Sequence, residues 1–82
     1  MPNRTIDVDG KTYAVTFERQ IARSLRTVVA SAIDENGGPV AIQAVNTSSA
    51  KGYLDRDTDA VPATWEDLET IAVDLLRVEL EQ

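Results

Sequence analysis

The feature that most constrains this chain is an Asp9-Gly10 pair placed between two alternating runs. In both runs apolar and polar residues alternate, with the apolar positions at Ile6, Val8, Tyr13, Val15 and Phe17. A two-residue type I′ turn needs positive φ at both central positions, and Asp-Gly favours that geometry. Residues 4–17 are therefore predicted to form a β-hairpin. A chain of 82 residues buries only about 60% of its unfolded surface, so nearly every amphipathic face must contribute to the core.

Residues 18–36 contain no glycine, proline or turn cluster, so they are expected to form one element. At about 100° per residue the apolar side chains segregate to one side. The segment ends in Asn36-Gly37-Gly38-Pro39, which is typical of a helix end. An amphipathic helix is the first prediction. The alternative is that residues 27–46 form a second hairpin, favoured by their β-branched residues and by Asn36-Gly37.

Residues 39–46 alternate as a strand, and residues 51–56 are predicted to form a short partner strand. Thr64 is predicted to be an N-cap with Asp67 at N3, and the helix that follows should run to about Glu81. The apolar arc of this helix exceeds half the circumference, more than one sheet face usually covers. The excess suggests a structural homodimer with Ile71 and Val78 as contacts.

The predicted order is therefore ββαββα. This defines an α+β two-layer sandwich with a mainly antiparallel sheet and two helices on one face. Residues 1–82 are expected to form a single small acidic domain.

The chain contains neither cysteine nor histidine, which removes thiolate chemistry and the commonest proton-transfer group near neutral pH. No phosphate-binding loop or hydrolase motif is present. We therefore expect a protein that is not an enzyme and has no cofactor other than the calcium considered below. The start of the chain lacks an apolar signal region and no stretch is long enough to span a membrane, which suggests a cytoplasmic protein without membrane contact.

Residues 55–66 match the ligand spacing of an EF-hand calcium loop. Positions 1, 3, 5, 7 and 12 of that loop would be Asp55, Asp57, Asp59, the carbonyl of Val61, and Glu66. The resemblance covers twelve residues and departs from the pattern at Ala60, where the loop needs glycine, and at Pro62. A calcium-binding domain is thus an alternative function, and an acidic turn followed by a helix cap is the simpler interpretation.

Acidic residues cluster towards the end of this chain, whose net charge is −6. The candidate partner-binding residues are Asp55, Asp57, Asp59, Glu66, Asp67, Asp74 and Glu81. Such a field attracts basic surfaces and opposes nucleic acid, despite the arginines at 19, 23 and 26. We therefore predict a non-enzymatic protein-interaction module that inhibits or regulates a basic or nucleic-acid-binding protein. Small acidic inhibitors from phages and mobile elements, such as anti-restriction and anti-CRISPR proteins, share this profile as an analogy of class only.

Overall fold

The computed structural model describes residues 4–54 and 62–81. Within these ranges the elements are β1 (Arg4–Val8), β2 (Lys11–Ala22), β3 (Leu25–Ile33), β4 (Pro39–Asn46), a 3₁₀ turn (Ser49–Gly52) and α1 (Trp65–Leu80). The strands form one antiparallel sheet in the order β1-β2-β3-β4. Helix α1 covers one face of the sheet and packs mainly on β3 and β4. The α+β class and the antiparallel sheet are thus confirmed.

The first hairpin forms as predicted. β1 and β2 pair with Ile6 opposite Tyr13 and Val8 opposite Lys11. Between the strands, φ is +52° at Asp9 and +81° at Gly10, so both central residues of the turn have the positive φ that a type I′ turn requires.

The predicted helix over residues 18–36 is wrong. β2 continues to Ala22, the chain turns at Arg23 and Ser24, and β3 returns with Glu18 opposite Val29. The element order is therefore ββββα, with one α-helix in the described residues instead of two. β3 is a central strand whose side chains, apart from the exposed Arg26, are at least partly covered on both faces, so its apolar residues do not show a clear period of two.

The alternative prediction, a hairpin over residues 27–46, is confirmed. β3 and β4 pair antiparallel from Thr27 opposite Asn46 to Ser31 opposite Ile42 and beyond. Residues 39–46 form β4 with the predicted bounds. The short strand predicted for residues 51–56 is not formed at residues 51–54, because residues 51 and 52 lie in the 3₁₀ turn. Residues 55 and 56 lie outside the described residues.

Small residues let α1 sit close to the sheet. The helix face of the sheet has alanine at three buried positions in β3 and β4, and α1 presents Ala72 to the core. Larger side chains fill the remaining space, and those with the least exposure are Leu68, Leu76, Val15, Val28 and Val45. Because one helix covers one face only, the second face of the sheet and the outer side of β4 stay at the surface of the described residues.

Candidate interaction surfaces

The side of α1 that points away from the sheet is acidic. Glu66, Asp74 and Glu81 are all exposed, and they follow one another at steps of eight and seven residues. In a helix with 3.6 residues per turn, a step of seven residues returns to within about 20° and a step of eight to within about 80°, so the three side chains share a sector of about 80°. None of the three has an ion-pair partner among residues 4–54 and 62–81. We call these three residues the acidic arc.

Helix electrostatics account for only part of the acidic arc. Glu66 lies in the first turn of α1, where a carboxylate interacts favourably with the helix dipole. Glu81 is the C-cap, and Glu79 lies two residues before it. A carboxylate near a helix C-terminus is disfavoured by the same dipole, by roughly 0.3–1 kcal/mol at an exposed site. Helix stability therefore does not explain the acidic residues at this end.

Asp67 has a structural role, although the sequence also suggested it for partner binding. Its Oδ2 accepts a hydrogen bond from the backbone N–H of Thr64 (2.9 Å), and its own N–H donates to Thr64 Oγ1 (3.1 Å). This is the predicted capping box. The side chain of Asp67 is thus oriented by the start of the helix, and it lies beside the acidic arc instead of within it.

Two arginines of the β2–β3 hairpin contact the first residue of α1. The guanidinium carbons of Arg19 and Arg26 lie 5.4 Å and 5.8 Å from the ring centroid of Trp65. Arg26 Nη1 also donates a hydrogen bond to the carbonyl of Ala63 (3.1 Å). These cation–π contacts attach the start of α1 to the sheet and hold two positive charges away from the acidic arc.

Glu69 is a buried carboxylate that the sequence analysis did not single out. Its side chain is 10% exposed, and its Oε2 accepts a hydrogen bond from Arg19 Nε at 3.0 Å in a salt bridge. The available signal was its position, because Glu69 lies one turn before Ala72 and Val73 on the apolar side of the helix. An acid on that side needs a cation to compensate for its burial, and Arg19 provides one.

Two further arginines make contacts with the sheet. Arg77 Nη1 approaches the carbonyl of Asp7 in β1 at 3.5 Å, so this side chain reaches towards the sheet. The guanidinium of Arg4 lies over the ring of Phe17, with its central carbon 5.7 Å from the centroid. Arg77 is itself a residue of α1, three residues after Asp74 and four before Glu81, so one positive charge lies beside the acidic arc. Within the described residues its guanidinium forms no ion pair with either acid.

The calcium hypothesis stays a prediction. Asp55, Asp57, Asp59 and Val61 lie outside the described residues. The three aspartates also belong to the predicted partner-binding set, so that part of the set lies outside the described residues as well. Glu66 is exposed in the first turn of α1, as position 12 of a calcium loop would require. Across residues 4–54 and 62–81, no group of three or more acidic side chains is arranged to hold a metal ion.

The two predicted dimer contacts on α1 have different surroundings. Ile71 is 6% exposed and belongs to the core, so it cannot be a surface contact as predicted. Val78 is 55% exposed. The apolar arc is wide because the helix crosses β3 and β4 and has several partly buried residues at its margins, among them Leu75 and Leu80.

Exposed apolar side chains gather around β4. Val40 and Ile42 are 48% and 57% exposed on the face of the sheet opposite α1. Glu79 lines a shallow groove of about 380 Å³ with residues 39–42, which places that side of the helix towards β4. Leu75, four residues before Glu79, lies on the same side of the helix. Glu69 faces β2, and Val78 comes nine residues after it, about half a turn round the helix, which places Val78 on the side towards β4. We call β4 with Val40, Ile42 and Val78 the β4 edge.

A larger groove lies at the end of the sheet between the two turns. It has a volume of about 670 Å³ and includes Lys11, Tyr13, Asp34 and Glu35 in its lining. Asp34 Oδ1 accepts hydrogen bonds at 3.0 Å from the backbone N–H groups of residues 36 and 38. Asp34 is thus used to build the β3–β4 turn, and among the described residues no ion pair joins Lys11 and Glu35 in the groove.

Comparison with known proteins does not identify the chain or the role of these surfaces. No family model matches the chain, no curated protein is similar to it, and no solved structure shows a significant match. Within residues 4–54 and 62–81, no helix combines the length and apolar character needed to cross a membrane.

Proposed function

We propose that this protein is a non-enzymatic interaction module that binds a protein with a basic surface through the acidic arc of α1. The observation that carries the proposal is the exposure of Glu66, Asp74 and Glu81 on one side of the helix, with no ion-pair partner among the described residues. Uncompensated carboxylates on a rigid helix attract cations and favour complementary partners, which raises the rate of association.

The distribution of cations supports the same function. Arg19 and Arg26 are held at Trp65. Arg77, the one cation of α1, directs its guanidinium to the carbonyl of Asp7 and forms no ion pair with Asp74 or Glu81. Residues 4–46 hold five acidic and five basic residues, whereas residues 65–81 hold six acidic residues and one basic residue, so most of the net charge of −6 belongs to α1 and the segment before it. A partner with lysine and arginine on a surface the width of a helix would complement this arrangement, and a regulatory or inhibitory effect would follow if that surface is the partner's own functional site.

The test compares two variants with the same net charge. Glu66→Lys/Asp74→Lys reverses charge on the acidic arc, and Glu18→Lys/Glu35→Lys reverses two exposed acids on the sheet and in the β3–β4 turn. Asp67 is left intact in both because it caps the helix. Partners captured from an extract of the source cells by the immobilised wild-type chain are purified, and their affinities for all three proteins are measured by calorimetry.

We expect the acidic-arc variant to lose at least about tenfold in affinity, equivalent to about 1.4 kcal/mol. The sheet variant should stay within about threefold of wild type, because its charges lie on other surfaces. Equal losses in the two variants would show that only total charge matters, and unchanged binding in the arc variant would exclude this surface. Either result contradicts the proposal.

A further inference from the structure

The outer side of β4 carries unpaired backbone groups that the geometry identifies. The N–H of Thr47 donates to the carbonyl of Arg26 (3.0 Å), so this residue pair is hydrogen-bonded towards β3. Pairs alternate along an antiparallel ladder, and the register places Asn46 opposite Thr27. The backbone groups of Ile42, Ala44 and Asn46 therefore point away from β3, towards the open side of the sheet.

One of these three positions is satisfied within the chain. The N–H of Asn46 donates to Ser49 Oγ (3.0 Å), and Ser49 Oγ donates to the carbonyl of Asn46 (3.1 Å). Ile42 and Ala44 have no such cap among the described residues, and no strand in the described part of the chain pairs with this side of β4. Two donors and two acceptors thus form a short open ladder.

The side chains of β4 do not protect this edge. Exposed strand edges are usually protected by charged residues or by bulges, because an open ladder can recruit another strand. Residues 39–46 contain no charged residue, and both Pro39 and the register shift opposite Ala32 and Ile33 lie at the start of the strand, before Ile42. At the opposite edge of the sheet, by contrast, β1 has only five residues and includes Arg4 and Asp7. The two edges of this sheet therefore differ in their capacity to pair.

We infer that β4 pairs antiparallel with β4 of a second copy of this chain, joining two four-stranded sheets into one of eight strands. With Ile42 opposite Ala44 of the second copy, all four open groups of each strand are hydrogen-bonded. The two-fold axis then passes between the two Gln43 residues, which form a closely spaced pair of the kind without mutual backbone hydrogen bonds. Both helices lie on the same face of the combined sheet.

The neutral character of β4 favours a second copy over a basic strand from another protein. A basic strand would need acids along the pairing row, but the row has none, and the acidic arc lies on the outward side of α1. Self-pairing places Ile42 opposite Ala44 of the second copy on the open face of the sheet. On the face where the helices lie, Val78 contributes exposed apolar surface. Glu79 lies beside residues 39–42, so the two copies of this acid would be about 15–20 Å apart along the strands, beyond the Debye length at physiological salt.

An interface of one strand per copy is small. Interfaces below about 1,200 Å² of total buried surface are usually weak, so we expect a dissociation constant on the order of 10–100 µM. The like net charges of the two copies weaken it further. This pairing does not depend on the acidic arc, and a dimer could form whether or not a basic partner exists.

Sedimentation equilibrium of the wild-type chain up to about 1 mM, well above the expected dissociation constant, tests the inference. Ile42→Lys places a charge in the pairing row and should give a monomer throughout. Thr16→Lys is the matched control, because it adds the same charge on the open face of β2 and should dimerise as wild type does. Circular dichroism verifies that both variants are folded. A wild-type monomer at the highest concentration, or equal dimerisation of the two variants, would overturn the inference.

Engineered cysteines test the register independently of Ile42→Lys. The chain has no cysteine, so any disulfide must come from the introduced residue. The Gln43→Cys variant should form a covalent dimer under mild oxidation, since close antiparallel pairs come within disulfide distance. The Thr16→Cys variant should remain mostly monomeric at the same concentration. Equal cross-linking of the two variants, or none in Gln43→Cys, would contradict pairing about Gln43.

Discussion

At the scale of single residues, Trp65 and Glu69 show what alternation and helical periodicity cannot predict. Trp65 is partly buried against the core at the start of α1. The partners of both residues come from Arg19 and Arg26, which the sequence analysis had placed on a helix that does not exist. Contacts between residues 50 positions apart depend on the topology, and local patterns contain no information about it.

We expect loss of the salt bridge between Arg19 and Glu69 to destabilise the fold mainly because a buried carboxylate is left without a cation, and less because the attraction itself is lost. Arg19→Leu leaves the Glu69 carboxylate, whose side chain is 10% exposed, without its cation. We expect the free energy of unfolding to fall by about 1–3 kcal/mol in urea titrations, a range kept modest because Arg19 is 42% exposed and water can approach. Replacing both residues with leucine should recover most of the loss. A single variant as stable as wild type would show that the pair has no structural role.

At the scale of elements, the sequence predicts what has a strong local signal. Asp9-Gly10, residues 39–46 and the Thr64–Asp67 capping box all combine a turn or cap with a clear period, and each was placed correctly. Residues 18–36 lack both signals. β3 has partly covered side chains on both faces, and its turn from β2 uses Arg23 and Ser24, which give no sign of a turn.

That turn leads to a prediction about the β2–β3 hairpin. Arg23 and Ser24 have φ values of +52° and +65°, a conformation that costs L-residues other than Asn and Asp roughly 1–2 kcal/mol each. Arg23→Asn/Ser24→Gly supplies the preferred type I′ sequence and should raise the free energy of unfolding by about 1 kcal/mol. Asp9→Asn in the first hairpin is the control, because that turn is already favourable and should change little. A destabilised double variant would show that Arg23 or Ser24 makes contacts that outweigh the backbone strain.

At the scale of the whole molecule, the predicted α+β class survives although one of its helices does not. Residues predicted to form that helix extend the sheet instead. β2 therefore has 12 residues, and the longest dimension of the structure is 41 Å. Val40 and Ile42 lie on the face opposite α1, which two helices on the predicted face would also leave uncovered, so their exposure follows from the two-layer arrangement. The excess apolar surface that the sequence assigned to the last helix is thus located mainly on a strand, and Val78 is the part of that prediction that stays at the surface.

The two proposed interactions should respond to salt in opposite directions. Binding of a basic partner to the acidic arc is an attraction between unlike charges, and salt should weaken it because the Debye length falls from about 14 Å at 50 mM to about 4 Å at 500 mM. Pairing of two copies through β4 brings together chains with a net charge of −6 each, and the contacts at the edge are backbone hydrogen bonds and apolar side chains. Screening then removes repulsion, so the dimer should become tighter over the same range.

Sedimentation equilibrium and calorimetry at matched salt concentrations measure the two effects separately. If dimerisation weakened with salt, charged side chains would have to form its interface and β4 could not be the site; if partner binding strengthened, the acidic arc would not be the attracting surface.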